Sequence, residues 1–245
     1  MYSSIINTLP DTSVLEVRIG LHWTAVVVEK ANGLQCGLAS TLEVEHNHSG
    51  EPTIPDPGHL ASLSGLELAG WISSDIPLRR SVGCAAINAL LPQDPSRWVD
   101  QNAEGAILEH GHGKKAVLIG HFPFADHLGT ELDDFTVLDL NPTGKDLPAS
   151  AAPDILPEAD LVAITGMTFI NHTLPGLLNL CKPNAYILIL GPSTPLSPVL
   201  ADFGVNLLAG SVVEDIPSVL SAVGQGANFR QVHKAGVRLI TQLAA

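Results

Sequence analysis

Histidines, hydroxyls and carboxylates gather in this chain where short apolar runs stop. Lys115–Ile119 is followed by Gly120-His121-Phe122-Pro123-Phe124, and the run over 135–140 carries Asp139 just before Asn141-Pro142. The run over 161–164 leads into Thr165-Gly166-Met167-Thr168-Phe169-Ile170-Asn171-His172-Thr173, and Tyr186–Leu190 leads into Gly191-Pro192-Ser193-Thr194-Pro195. Neutral imidazole is both a metal ligand and a proton carrier near neutral pH. His121 and His172, each following a different run, are therefore candidate metal ligands or acid–base groups. The hydroxyls of Thr165, Thr168, Thr173, Ser193 and Thr194 suit a small polar ligand better than a soft metal. Asn171 fits a helix N-cap, and the amides beside it could equally receive a carboxylate. Ser193 and Thr194 have the same double reading: a cap for a helix near 197–203, or donors on a stiff proline-flanked loop.

Two His-x-His pairs, His46/His48 and His110/His112, could hold a transition metal if they lay on strands, where alternate residues share a face. Both sit in glycine-containing sequence that reads as solvated loop. A dinucleotide site would show Gly-x-Gly-x-x-Gly after the first strand of the alternating region. Gly120, Phe122 and Pro123 make a poor phosphate cradle instead, because proline lacks a donor and phenylalanine fills the space. Asp139 alone keeps an adenosine-type cofactor in play, at the position where an acidic residue holds ribose hydroxyls. No Ser/His/Asp order or paired-carboxylate motif announces a hydrolase.

Short apolar runs bounded by turn residues and spaced by helix-length segments read as buried parallel strands. Ligands of such sheets sit outside the carboxyl ends of the strands, so the four clusters describe one wall of a pocket. Strands are predicted near 115–120, 135–140, 160–165, 185–190 and 206–212, with helices near 125–132, 171–181, 197–203 and 215–224. That alternation calls for right-handed crossovers. Residues 237–241 fit either a last strand or a helical turn.

The first hundred residues differ. Segments 14–20 and 24–30 are strand-like, Asn32-Gly33 offers the positive φ angles of a tight hairpin turn, and a third strand lies near 35–41. This is a three-stranded antiparallel meander. A loop over 46–58 and helices over 59–73 and 78–91 follow, the last stopped by Pro92. Strands and helices in separate blocks predict an α+β domain. The boundary falls in the Gly/Pro-containing stretch 92–113, giving domains 1–100 and 101–245. Small residues over 36–41 let another domain or a ligand approach closely. Asn88, amid apolar neighbours, needs a partner across the domain interface.

With 45% hydrophobic and 15% charged residues in 245, the chain is globular, and with 4% aromatics its core is mostly aliphatic. A formal net charge of −13 argues against a nucleic-acid backbone or an anionic membrane surface as partner. No apolar run approaches the roughly 20 residues that span a bilayer. The N-terminus lacks a basic flank and long apolar core, which predicts a cytoplasmic protein. Cys36, Cys84 and Cys181 form no Cys-x-x-Cys pair, so neither a disulfide framework nor a thiolate zinc site is supported. The hydrophobicity is compatible with a homodimer.

The segments 37–41, 81–91, 120–124, Asn141-Pro142, 165–173 and 191–195 together resemble a family of two-domain proteins described as heavy-metal chelation proteins. The resemblance covers nearly the whole chain. It implies an α/β protein in which an enolase N-terminal-like domain precedes a Rossmann-like domain, with a pocket between them. The family often has glutamate where Asp139 stands, and the shorter carboxylate reaches less far.

These readings combine into one expectation: a small anionic or metal-chelating ligand, with or without a transition metal, bound in the interdomain cleft. His121 and His172 would be metal ligands or proton carriers. Gly120, Phe122, Pro123, Asp139, Asn141, Thr165, Gly166, Thr168, Asn171, Thr173, Gly191, Ser193 and Thr194 would line the site, with Ser40, Thr41 and Asn88 closing it from the first domain. Two alternatives stand beside it: an enzyme such as a small-molecule transferase using an adenosine-containing cofactor, and a non-catalytic delivery or scaffold protein working with a metal transporter.

Overall fold

A computed structural model describes residues 1–42 and 52–244. The His46/His48 pair lies outside the described residues. After a short helix α1 (Tyr2–Ile6), strands β1 (Val14–Ile19), β2 (Trp23–Lys30) and β3 (Gly33–Ser40) form the expected antiparallel meander. Its hairpin turn differs in detail from the expectation. Of Asn32 and Gly33 only the glycine has positive φ, at 122°.

Strand β2 is buried along Trp23–Val28, and its alternate residues serve two cores. Val26 and Val28 face helix α3 (Pro77–Leu90) and its neighbours. Ala25 and Val27 meet Val219, Leu220 and Val223 of helix α9 (Ile216–Gly224), which lies in the connection between two strands of the large sheet. Period-two alternation thus fastens the meander to both halves of the chain. The small residues over 36–41 serve the packing of α3: a Cβ on Gly37 would lie 2.1 Å from the Ala85 carbonyl oxygen and 2.2 Å from the Ala89 nitrogen.

The predicted helix over 59–73 is broken. A helical turn at Leu60–Ser62 precedes α2 (Gly65–Gly70), and a second turn follows at Trp71–Ser73. Ser64 forces the restart: its hydroxyl accepts the Glu67 N–H while the Glu67 carboxylate accepts the Ser64 N–H, a capping box.

Among the described residues the second sheet has eight strands. These are β4 (Trp98–Val99), β5 (Lys115–Ile119), β6 (Asp134–Asp139), β7 (Leu147–Pro148), β8 (Leu161–Thr165), β9 (Tyr186–Leu190), β10 (Leu207–Val213) and β11 (Val237–Leu243). Their order is β4-β11-β10-β9-β8-β5-β6-β7, with β10 through β7 parallel and β11 and β4 antiparallel. Read from β7 to β10, the parallel strands follow the 3-2-1-4-5-6 order of doubly wound sheets, with the switch point between β5 and β8. The undecided segment at 237–241 is strand β11. Helices α4 (Ala103–Gly111), α5 (Ala125–Glu131), α6 (Ala152–Ile155), α7 (Met167–Ile170), α8 (Leu174–Leu180) and α10 (Phe229–Lys234) complete the chain. Continuous apolar strands are the signature of a sheet covered on both faces. Accordingly, Val117 and Ile119 of β5 enter one core and Ala116 and Leu118 the other.

Two predicted helices are revised. The one over 171–181 starts only at Leu174, because His172 takes a φ of 67° and interrupts the chain between α7 and α8. The segment over 197–203 is a 3-10 helix, Pro198–Phe203, ended by Gly204 at φ 83°.

Candidate functional site

Strands β5, β6, β8 and β9 all end on one edge of the sheet, and a cleft of about 1190 Å³ opens there. Gly120 and Gly191 turn the chain away from β5 and β9 with φ angles of 95° and 108°, a conformation that costs glycine little. A Cβ at Gly120 would press on the Thr165 side chain at 3.0 Å, so the strand ends pack closely beneath the cleft. Phe122 lies over Gly191 and stacks on Phe124 with ring centroids 5.3 Å apart.

His121 is held twice. Its backbone N–H donates to Asp139 Oδ2 at 2.8 Å, and its ring Nδ1 meets Asp146 Oδ2 at 2.9 Å. Asp146 also accepts the N–H and hydroxyl of Thr143, at 3.0 and 3.1 Å. Burial works to raise the Asp146 carboxyl, but the hydrogen bonds from Thr143 and His121 overcome it and hold the group below its ordinary 3.8. An ionised carboxylate only accepts, so His121 Nδ1 carries the hydrogen and Nε2 keeps the free lone pair when the ring is neutral. The ring is 42% exposed while the Asp146 side chain is 5% exposed, so an open imidazole stands on a covered anchor. Asp139 accepts one backbone amide at each oxygen, Oδ1 taking the Asn141 N–H at 2.7 Å.

Fourteen of the residues expected from sequence line this cleft: Ser40, Gly120, His121, Phe122, Pro123, Asp139, Asn141, Thr165, Gly166, Thr168, Asn171, Thr173, Gly191 and Ser193. Several of their polar groups are already spent on one another. Thr168 donates to the Thr165 carbonyl at 2.7 Å, and Thr173 donates to Asn171 Oδ1 at 2.7 Å. Asn171 is therefore a brace for the turn after α7 rather than the N-cap of α8, whose N-cap is Thr173. Ser193 caps no helix either. Its hydroxyl accepts the Ser40 N–H at 2.9 Å and donates to Ser40 Oγ at 3.1 Å, joining the meander to the end of β9.

Four expected residues lie elsewhere. His172 is not beside His121: its Nε2 donates to the Ile72 carbonyl at 2.6 Å and its ring tilts against Tyr2. The positive φ at His172 turns the ring toward the helices of the first hundred residues. Asn88 donates to the Leu38 carbonyl at 2.9 Å beneath β3. Thr41 pairs with Thr24 at 2.9 Å. Thr194 is buried against Gly166, where an added Cβ would sit 2.6 Å from its hydroxyl oxygen. The His110/His112 pair is not a loop feature, for His110 belongs to α4 and stacks on Tyr186 at 3.9 Å while His112 is exposed beyond the helix end.

Sequence reading missed Asp146, Arg238, Trp98 and Phe124, the last three of which line the cleft. The spacing Thr143-Gly144-Lys145-Asp146, a hydroxyl three residues before a carboxylate in a glycine turn, was the available signal for Asp146. Among the described residues no three His, Cys, Asp or Glu side chains converge as a metal-binding group. The thiols are also out of reach: Cys36 and Cys84 are buried, and the Cys84 Sγ faces the Ser193 carbonyl oxygen at 3.3 Å.

Comparison with known proteins agrees with this architecture. Two family models, both described as "Putative heavy-metal chelation", match residues 2–91 (DUF4213) and 81–242 (DUF364). A crystal structure of a DUF364 protein with unknown function from Desulfitobacterium hafniense DCB-2 is 30% identical with a TM-score of 0.82, covering 99% of this chain and 97% of that one. Another, from Pyrococcus horikoshii, shares the fold at 23% identity with a TM-score of 0.78 and the same coverage. An uncharacterized protein of Methanocaldococcus jannaschii is 26% identical over 218 residues, 86% of this chain and 82% of that protein. With matches that together span both sheets, the chain belongs to the DUF364 family.

Proposed function

We propose that the chain binds a small anionic or metal-chelating ligand in the cleft at the carboxyl ends of β5, β6, β8 and β9, with His121 as the protein's donor or proton carrier. One observation carries the reading: an exposed loop histidine has its amide held by Asp139 and its ring held by the covered Asp146. A carboxylate on the far ring nitrogen fixes tautomer and orientation, the usual support of an imidazole that meets a metal or a reacting proton. Ser40, Thr165, Asn171 and Ser193 supply polar edges around it.

The strand order favours a nucleotide at the switch point, but the residues there do not. Both Asp139 oxygens already accept backbone amides, and Phe122 and Pro123 occupy the turn where bare backbone would meet a pyrophosphate. The test is a thermal-shift screen of the full chain against metal ions, polycarboxylates and metal chelates. A ligand at about 100 times its Kd adds about 2.7 kcal/mol of stability. The expected result is a ligand that stabilises the parent, stabilises His121→Ala markedly less, and binds Asp146→Asn about 10–100-fold more weakly. Equal stabilisation of parent and His121→Ala by every binding ligand would overturn the reading.

A further inference from the structure

The residues of the cleft do not fit a bare metal ion. Zinc and its neighbours take three or four protein donors, whereas His121 offers one free nitrogen and no group of three ligating side chains exists among the described residues. Burial pushes the Cys36 thiol up to about 12 and the Cys84 thiol higher still, which opposes the thiolate that soft metals need. The space is also wrong for an ion. A cleft of about 1190 Å³ exceeds the usual range for drug-sized ligands, roughly 300–1,000 Å³. Its apolar lining is left open to solvent: Leu140, Leu239 and Met167 are 68%, 49% and 37% exposed.

A single cation stands at one end of this apolar floor, with His121 at the other. Arg238 is the one Lys or Arg side chain among the described residues that line the cleft, and its guanidinium sits 5.3 Å over the Trp98 ring. Because β11 runs antiparallel to β10, with Val213 opposite Val237, Arg238 reaches the same sheet edge as His121. From β5 to β11 lie four inter-strand spacings, about 19 Å at roughly 4.8 Å each. Glu214, at 3.4 Å, is the only acidic side chain paired with Arg238 among the described residues, and both are more than half exposed. A ligand anion can displace such a pair at little cost.

We infer that the cleft takes an elongated organic anion with an apolar body, its anionic end at Arg238, and that metal handled by this chain arrives already wrapped in such a molecule, with His121 Nε2 filling one open coordination position. The inference rests on the cleft reading above and names its ligand class. The probe is bathophenanthroline disulfonate, a flat apolar chelator with anionic sulfonates, offered to the full chain by calorimetry as the free chelator, as its one-to-one nickel complex, and beside Ni²⁺ alone. The nickel complex should bind at least tenfold more tightly than Ni²⁺. His121→Ala should reduce the complex to the affinity of the free chelator, and Arg238→Gln should weaken chelator and complex alike by about tenfold.

Stoichiometric Ni²⁺ binding as tight as the complex, lost in His121→Ala, would overturn this inference and leave the His121 site standing. Failure of the chelator and its complex to bind, with the parent's Ni²⁺ affinity unchanged in His121→Ala, would overturn both. Binding of the complex that responds to His121→Ala but not to Arg238→Gln would overturn the placement of the anionic end.

Discussion

The two histidines singled out by sequence separate cleanly by what their rings touch. His172 Nε2 donates to a carbonyl across 100 residues of chain, so it fastens α7 and α8 to the helices of the first sheet. Removing it leaves the Ile72 carbonyl without its partner, and His172→Ala should cost about 1–3 kcal/mol in urea unfolding. His121 is exposed and bound only at its edges, so His121→Ala should move the same curve by less than about 0.5 kcal/mol. Equal losses would mean that His121 is structural as well. The thiols make a second residue-scale prediction. Burial pushes Cys36 up to about 12 and Cys181 to about 11. A thiol whose pKa lies above the working pH stays protonated and unreactive. At pH 8 an aromatic disulfide reagent should therefore titrate almost no thiol in the native chain and all three once it is unfolded.

At the scale of elements, backbone proximity is the constraint. Helix α3 lies so close to β3 that a Cβ on Gly37 would overlap backbone atoms of Ala85 and Ala89 at 2.1 and 2.2 Å. Neither neighbour is the tip of a flexible side chain, so the helix itself must shift. Gly37→Ala should lower stability by about 3 kcal/mol or more, read from the denaturant midpoint. Gly113→Ala serves as the comparison: its loss should come from its φ of 68° alone, because nothing lies within 4 Å of an added Cβ. Parallel strands were legible because burial on both faces leaves an unbroken apolar run that turn residues close. Strand β4 and helices α4 and α10 were not, since two strand residues, or helices of nine and six residues with few apolar positions, give no period to count.

Across the whole molecule, carboxylates tie separate parts of the chain together. Asp160 accepts from the Lys182 ammonium and the Lys115 N–H, linking the start of β5 to the segments on either side of the β8–α8 unit. Those bonds, the Lys182 ammonium first, hold its carboxyl below the ordinary 3.8, and backbone N–H donors do the same for Asp11 and Asp215. Carboxyls depressed by folding stabilise the native state fully above their unfolded value and lose that contribution as pH falls through the lowered ones. Unfolding free energy should thus be flat from neutrality to about pH 5 and decline below about pH 4. A stability that rose on acidification across this window would contradict the assignment. The meander, the five central strands β5, β6, β8, β9 and β10, and the turn clusters that mark the edge of the cleft were written in the sequence alone, because those signals are local and periodic. Which groups meet follows from the folded chain, not from local pattern. His121 finds Asp146 across 25 residues of chain while His172 turns away from both. Arg238 joins the cleft because an antiparallel strand returns it to the same edge. Side-chain encounters of this kind depend on strand order and on single backbone angles, neither of which leaves a repeat in the sequence to read.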